Sequence, residues 1–163
     1  MTAFEIVSLV PELRSVFADL WVPWLESITG KDPEPEDLQA VGDPERFYVQ
    51  NGGAVFYAMK GATPIGVVAV KHLTGGVYEF CKLVVRDEAR GLGVGRALVE
   101  ACIAFAGQQG ARLLMLQSFK RLDVALGMYE RMGFVPMTAP AQMLVLARTE
   151  IVMGMPLTGR HNA

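Results

Sequence analysis

The sequence predicts an α/β (α+β) domain: a mixed sheet with an antiparallel meander and a parallel pair of strands joined through a helix. Three observations predict it. Residues 54–85 carry three apolar, strand-like runs joined by short turns, and strands connected that tightly run antiparallel. The last of these runs ends at Val85 and meets a glycine-rich turn, Arg90-Gly91-Leu92-Gly93-Val94-Gly95-Arg96. Beyond it Leu98, Val99, Cys102, Ile103, Phe105 and Ala106 recur at helical steps. A further buried run, Ala111 to Leu116, follows that helix, and a strand–helix–strand connection makes a right-handed crossover between parallel strands.

In chain order, Phe4 to Val10 reads as the first strand, and Pro11 suits the first turn of a helix. From Leu13 onward Val16, Phe17, Leu20, Trp21, Trp24 and Ile28 form an apolar stripe at helical spacing. Pro23 interrupts the stripe and predicts a kink or two short helices. Core packing is the first reading of Trp21 and Trp24; the other places one of them on a pocket wall. Residues 30–36 read as a polar loop with Pro33 and Pro35, made acidic by Asp32, Glu34, Glu36 and Asp37. Such a cluster is ordinarily a solvated surface, and would attract a cationic ligand only if it overhung a site. The meander strands are Ala54–Met59, Ile65–Val70 and Val77–Val85, with turns at 60–64 and 73–76. A helix over about 93–109 follows, then the strand Ala111–Leu116. Leu122–Met132 reads as another helix, closed by Gly133 as its C-cap. Phe134-Val135 begins a strand, Glu150–Leu157 is the last, and residues 158–163 read as a loose tail.

The 163 residues fit one domain, 1–163, large enough to bury a full core. Apolar content of 52% against 20% charged argues for a folded globular chain. A net charge of −2, a pI near 5.7 and scattered basic residues exclude nucleic acid as an expected partner. Cys81 and Cys102 have neither metal-ligand spacing nor the number for a disulfide framework. They read as reduced, buried thiols, and no metal is expected. No basic start followed by an apolar core marks a signal peptide, and the longest uncharged run, 132–147, is too short for a bilayer and contains two prolines. A cytoplasmic protein without a membrane partner is expected. The methionine-rich C-terminal strands offer an apolar edge for a homodimer.

A glycine-rich turn opening a helix presents backbone N–H groups to an anion, usually a phosphate. Two nucleotide loops are excluded. No Lys-Ser or Lys-Thr follows the glycines, as a Walker A loop requires, and Arg96 stands where a dinucleotide fingerprint has its third glycine. What remains is Arg-x-x-Gly-x-Gly with a trailing arginine.

That pattern resembles the acetyl-CoA motif of the GCN5-related N-acetyltransferase (GNAT) superfamily, [QR]-x-x-G-x-[GA], over Arg90–Gly95. Downstream, Ala125-Leu126-Gly127-Met128-Tyr129-Glu130-Arg131-Met132-Gly133-Phe134 is similar to the family's alanine followed by L-Y-x-x-x-G-F. The motifs are separated by one strand, and the element order of the whole chain agrees. The stretches PELRSVFADLWVPWL and YEFCKLVV resemble a bacterial subgroup acting on small molecules. The resemblance implies a mixed sheet of six to seven strands with helices on both faces and the parallel pair around the CoA site. It implies that N–H groups of Gly91, Leu92, Gly93, Val94, Gly95 and Arg96 hold the CoA pyrophosphate, with charge from Arg96 and Arg90. Glycines at 91, 93 and 95 would let the backbone approach where a Cβ would block it. The third meander strand and the next strand would splay, with pantetheine pairing near Leu83, Val84 and Val85. The Val84 N–H would be the oxyanion donor.

Acetyl transfer to an amine requires one proton to leave the ammonium and one to reach the leaving thiolate. Tyr129 matches the family tyrosine that serves as general acid. Glu79 is the candidate base, being the only carboxylate inside an otherwise apolar strand, where a charge is costly unless paired or functional. Pairing with Lys82 or another cation is the structural alternative, and Lys82 itself reads as half of an ion pair. Where relatives carry Glu-[ST]-Asn this chain has Gln117-Ser118-Phe119, so only Ser118 is left to hydrogen-bond near pantetheine or the acceptor. Arg148 reads as a surface residue, with a carboxylate reader as the lesser alternative. The expected function is N-acetylation of a primary amine on a small molecule or amino acid, with acetyl-CoA as co-substrate, in a ternary complex. A protein N-terminal or lysine acetyltransferase and a non-catalytic acyl-CoA sensor are the alternatives.

Overall fold

A computed structural model describes residues 3–157, and the tail expected at 158–163 lies outside them. Seven strands form one mixed sheet in the order β1-β2-β3-β4-β5-β7-β6. The first four, β1 (Glu5–Ser8), β2 (Ala54–Lys60), β3 (Thr63–His72) and β4 (Val77–Val85), are antiparallel neighbours. Strand β5 (Leu113–Ser118) runs parallel to β4. Strand β7 (Ile151–Pro156) lies antiparallel to β5, and the two-residue β6 (Val135–Pro136) closes the edge.

Alternation along the central strands divides the core. Val67 and Ala69 of β3 face one side with Tyr57, while Val68 and Val70 face the other. The first face is covered by α1 (Val16–Thr29), through Phe17, Leu20, Trp21 and Leu25, and by α2 (Pro35–Gly42), through Ala40 and Val41. The opposite face is covered by α3 (Val94–Gln108) and α4 (Asp123–Met132). Each large apolar side chain buried this way contributes roughly 1.5–3 kcal/mol.

Two expectations change. Pro23 does not divide the first helix, which runs unbroken over Val16–Thr29. Pro23 lies on the exposed side, and Leu20, Trp21 and Leu25 anchor the helix to the sheet on both sides of it, which outweighs one missing backbone hydrogen bond. The acidic loop is partly helical: Pro35 occupies the first turn of α2, and the Asp37 carboxylate accepts the Glu34 N–H at 3.1 Å. Proline in a first turn with an acid three residues after the cap is a helix-start signal, masked here by the look of a charged loop. Near the C-terminus, Met143, Met153 and Met155 are buried in the chain's own core.

Candidate active site

Strand β4 carries the geometry from which the site is built. Its pairing with β5 covers only Val77–Glu79 against Leu113–Met115. Beyond Glu79 it keeps pairing with β3 alone, while Leu116–Ser118 of β5 pair with β7. The two parallel neighbours therefore separate, and a cleft of about 90 Å³ opens there.

Opposite the opening, β4 is bulged. Val67 faces Val84 and Ala69 faces Cys81, so Lys82 and Leu83 together stand opposite Val68. Lys82 holds a left-handed φ of 58°, the only non-glycine residue with positive φ among those described, a conformation that costs about 1–2 kcal/mol. The extra residue puts Lys82 on the same face as Cys81, against α1, while Leu83 and Val85 face α3. A regular strand would have driven the Lys82 ammonium into the apolar core around α3. Arg86 N–H donates to Ile65 O at 2.9 Å, and antiparallel pairs alternate, so Val84, two residues earlier, turns its peptide groups toward β3. The oxyanion donor expected at Val84 thus faces away from the opening. Val85 occupies a ladder position that faces it, and Leu83 lies in the bulge on the cleft wall.

The glycine turn follows β4 at the mouth of this opening. Gly91 and Gly93 have φ of 80° and 81°, and a Cβ on either would meet nothing within 4 Å. Glycine is demanded there by backbone conformation rather than by crowding. Gly95 is different: it lies inside α3 with ordinary room, 3.8 Å from Met128 and Val85 atoms. Gly93 caps α3 without a side-chain hydrogen bond, and the first acceptor in the helix is filled by Ala97 N–H on Gly93 O. The N–H groups of Val94, Gly95 and Arg96 are then left without intrahelical acceptors, at the positive end of a 15-residue helix. Arg90 pairs with Asp87 at 3.1 Å and Arg96 with Glu100 at 3.6 Å, both in solvent and easily exchanged. An exposed cradle of donors with two mobile guanidinium groups fits a pyrophosphate.

Tyr129 and Glu79 both line the cleft, as do Leu83 and Ser118. Tyr129 is held edge-on against Phe80, with centroids 5.4 Å apart, and against Phe134 at 6.1 Å. Burial pushes its phenol well above its ordinary pKa. Glu79 is 3% exposed, and burial raises its carboxyl against the opposing hydrogen bond from Gln117 and the charges of Lys71 and Lys82. Its partner is not the Lys82 ammonium: Gln117 Nε2 donates to Glu79 Oε2 at 3.0 Å. The same amide donates to Leu144 O at 2.7 Å, and Gln117 Oε1 accepts the Leu146 N–H at 3.0 Å, which fixes the amide's orientation. Gln117 reaches Glu79 across the widening gap because both lie on one face of β4 and β5.

Lys82 and Arg148 meet instead at Asp37. Asp37 is 5% exposed and accepts from Lys82 Nζ at 2.8 Å and from both terminal nitrogens of Arg148 at 3.0 and 3.1 Å. Burial alone would raise its pKa; the hydrogen bonds and charges of the two cations outweigh that and bring it down to about 2. Both cations lie over Trp21, Nζ at 4.5 Å and the guanidinium carbon at 5.7 Å from the ring centroid. Asp37 is therefore no solvated acid and Arg148 no free surface residue. Trp21 and Trp24 both line the cleft. Among the described residues no three His, Cys, Asp or Glu side chains gather as a metal site, and no helix is long and apolar enough to cross a membrane.

A seven-stranded mixed sheet that parts beside a glycine-capped helix, with a buried acid and a phenol in the gap, is the architecture of an acyl-CoA-dependent transferase. Comparison with known proteins agrees. A sequence model of the acetyltransferase (GNAT) family matches residues 13–134, most of the chain, and the chain belongs to that family. It is an acetyltransferase enzyme that moves an acetyl group from acetyl-CoA to an amine. The fold is shared with a GNAT-family acetyltransferase from Staphylococcus aureus Mu50, with a TM-score of 0.88 at 16% identity over 96% of this chain and 100% of that one. An acetyltransferase from Streptococcus agalactiae 2603 gives 0.84 at 19% identity, over 96% and 100%. The PaiA N-acetyltransferase from Thermoplasma acidophilum, in complex with coenzyme A, gives 0.72 at 14% identity, over 94% and 98%. No curated protein sequence matches the chain.

Proposed function

We propose that the acceptor is a primary amine on a small molecule or amino acid, acetylated by direct attack while acetyl-CoA is bound beside it. The observation that carries this reading is a single cleft lined by both Glu79 and Tyr129, at the point where β4 leaves β5. Acetyl-CoA, when bound, supplies the acetyl thioester. Residues 91–96 hold its pyrophosphate through backbone N–H groups, with Arg90 and Arg96 released from their exposed partners to add charge. The edge of β4 from Leu83 to Val85 and Ser118 of β5 hold the pantetheine arm. Leu83, which lines the cleft, offers its N–H as the oxyanion donor in place of Val84.

Glu79 takes the proton from the acceptor ammonium, directly or through a water. Its raised pKa brings it closer to neutrality, where a base is both ionised and strong enough to work. Tyr129 returns a proton to the leaving sulfur, and burial keeps its phenol protonated until then. Helices α1 and α2 and the segment at 144–149 enclose the acceptor side, which favours a small acceptor over a protein segment. A purely binding role for acyl-CoA would leave Glu79 and Tyr129 without a function.

Thiol release from acetyl-CoA, measured against a panel of amines, amino acids and peptides, tests the proposal. Small amines are expected to be turned over and peptides to be poor acceptors. Tyr129→Phe is expected to lower kcat by roughly 100-fold or more with acetyl-CoA affinity nearly unchanged. A variant as active as the wild type would remove Tyr129 from the mechanism. Thermal stabilisation by acetyl-CoA without turnover of any acceptor would make the chain a sensor.

A further inference from the structure

The cluster of Asp37, Lys82 and Arg148 has more cation than anion. Two side chains with full positive charge share one carboxylate, and all three are buried or largely so, with side-chain exposures of 6%, 9% and 25%. The donors are also unequally used. Lys82 commits one of three N–H groups and Arg148 two of five to Asp37. Both cations line the cleft that Glu79 and Tyr129 line, whereas Asp37 lies on the wall of the neighbouring cavity with Glu34, Glu36 and Lys71, a cavity that Glu79 and Lys82 also reach. What the main cleft meets is therefore cationic donors whose counter-ion lines the other cavity. Glu79 is the one carboxylate on its wall, and Gln117 holds that carboxylate across the gap.

A bare amine would meet Glu79 and leave the spare donors of Lys82 and Arg148 on the cleft wall unused. A molecule carrying both an ammonium and a carboxylate meets complementary groups at both ends. We propose that the acceptor is an α-amino acid, its carboxylate received by Arg148 and Lys82 and its ammonium presented to Glu79. This rests on the amine-acetyltransferase reading above and names its substrate class. Asp37 is then a positioning residue. It aligns the guanidinium end-on and draws the ammonium to the same carboxylate. Trp21 and Trp24 give the cleft an apolar wall, which fits an amino acid with an aliphatic or aromatic side chain.

The test compares each of a panel of free amino acids with its own carboxamide, for instance phenylalanine with phenylalaninamide and leucine with leucinamide. The amide lacks the negative charge and has the less basic, hence more available, amine. Despite that advantage, kcat/KM is expected to favour the free acid by about tenfold or more in the best pair. Arg148→Gln is expected to abolish the preference by raising KM for the acid at least tenfold more than KM for the amide. A merely structural Arg148 would shift both alike. Equal rates for acid and amide, or a preference for the amide or for simple alkylamines, would overturn the inference while leaving acetyl transfer intact. If no acceptor is turned over, the reading beneath it fails, and binding decides the inference separately. With CoA present, calorimetry should then show N-acetylphenylalanine binding and N-acetylphenylalaninamide not, and equal binding of the two would overturn it.

Discussion

The two halves of the site are made differently. The cofactor half, residues 90–96, is contiguous in sequence, exposed, and built from backbone: two left-handed glycines and a helix start without a cap. The acceptor half is built from side chains that meet from far apart, Asp37 from α2, Lys82 from the β4 bulge, Gln117 from β5 and Arg148 from the segment before β7. A backbone cradle is indifferent to most side-chain changes and depends on a few φ angles. A buried polar network depends on every member, since a partner removed leaves a charge or dipole unsatisfied. Substitutions in the two halves should thus fail in different ways.

Glu79→Gln should show the largest effect. It is expected to lower kcat by roughly 100-fold or more with little change in melting temperature. In the wild type a raised Glu79 pKa means the base is protonated at low pH, so activity rises with pH through a value above the ordinary carboxylate range. The pH–rate profile of Glu79→Gln should lack that acidic limb, and an unaltered limb would transfer the role of base to another group.

Asp37→Asn should act on stability first. It leaves Lys82 and Arg148 enclosed without a counter-charge, a loss of about 3–5 kcal/mol for a buried pair and less here because Arg148 is a quarter exposed. The sign follows from the depressed pKa. Asp37 contributes its stability above the ordinary aspartate pKa and loses it as pH falls toward about 2, an amount of about 2 kcal/mol. Chemical denaturation between pH 6 and pH 2 should show that difference in the wild type and a flatter dependence in Asp37→Asn. Equal slopes would mean that Asp37 is not the group being titrated.

Changes in the cofactor half are milder. Gly93→Ala forces a Cβ into a left-handed position and is expected to cost about 1–2 kcal/mol, read mainly as weaker CoA binding, with kcat at saturating acetyl-CoA close to normal. Arg96→Ala should leave stability within about 0.5 kcal/mol, since its pair with Glu100 is solvent-exposed, and should weaken CoA binding by only a few-fold. If Arg96→Ala instead unfolds the protein, the contrast between the two halves is wrong.

The same contrast explains what was legible beforehand. The meander, α3, β5, α4 and its Gly133 cap were readable within a few residues, because periodicity and turn chemistry are local. Residues 90–96, Tyr129 and Glu79 stand out as candidates for the same reason: a motif lies in one stretch, and a lone acid in an apolar strand is visible without knowing its neighbours. The bulge was not. Nothing in Cys81-Lys82-Leu83 announces an extra residue, and that residue decides which way Lys82 points and which N–H groups face the opening. Asp37 was misplaced on the surface because burial of a charge is settled by partners 45 and 111 residues away.

By itself, then, the sequence determined the order of the elements, the place of the glycine turn and the candidates proposed for proton transfer, Glu79 and Tyr129. Each follows from interactions between near neighbours in the chain. Tertiary structure alone decided where β4 parts from β5, that Gln117 rather than Lys82 steadies Glu79, and that two cations share Asp37 over Trp21. Those outcomes depend on which distant groups are enclosed together, and the energy of a buried charge is set by that enclosure.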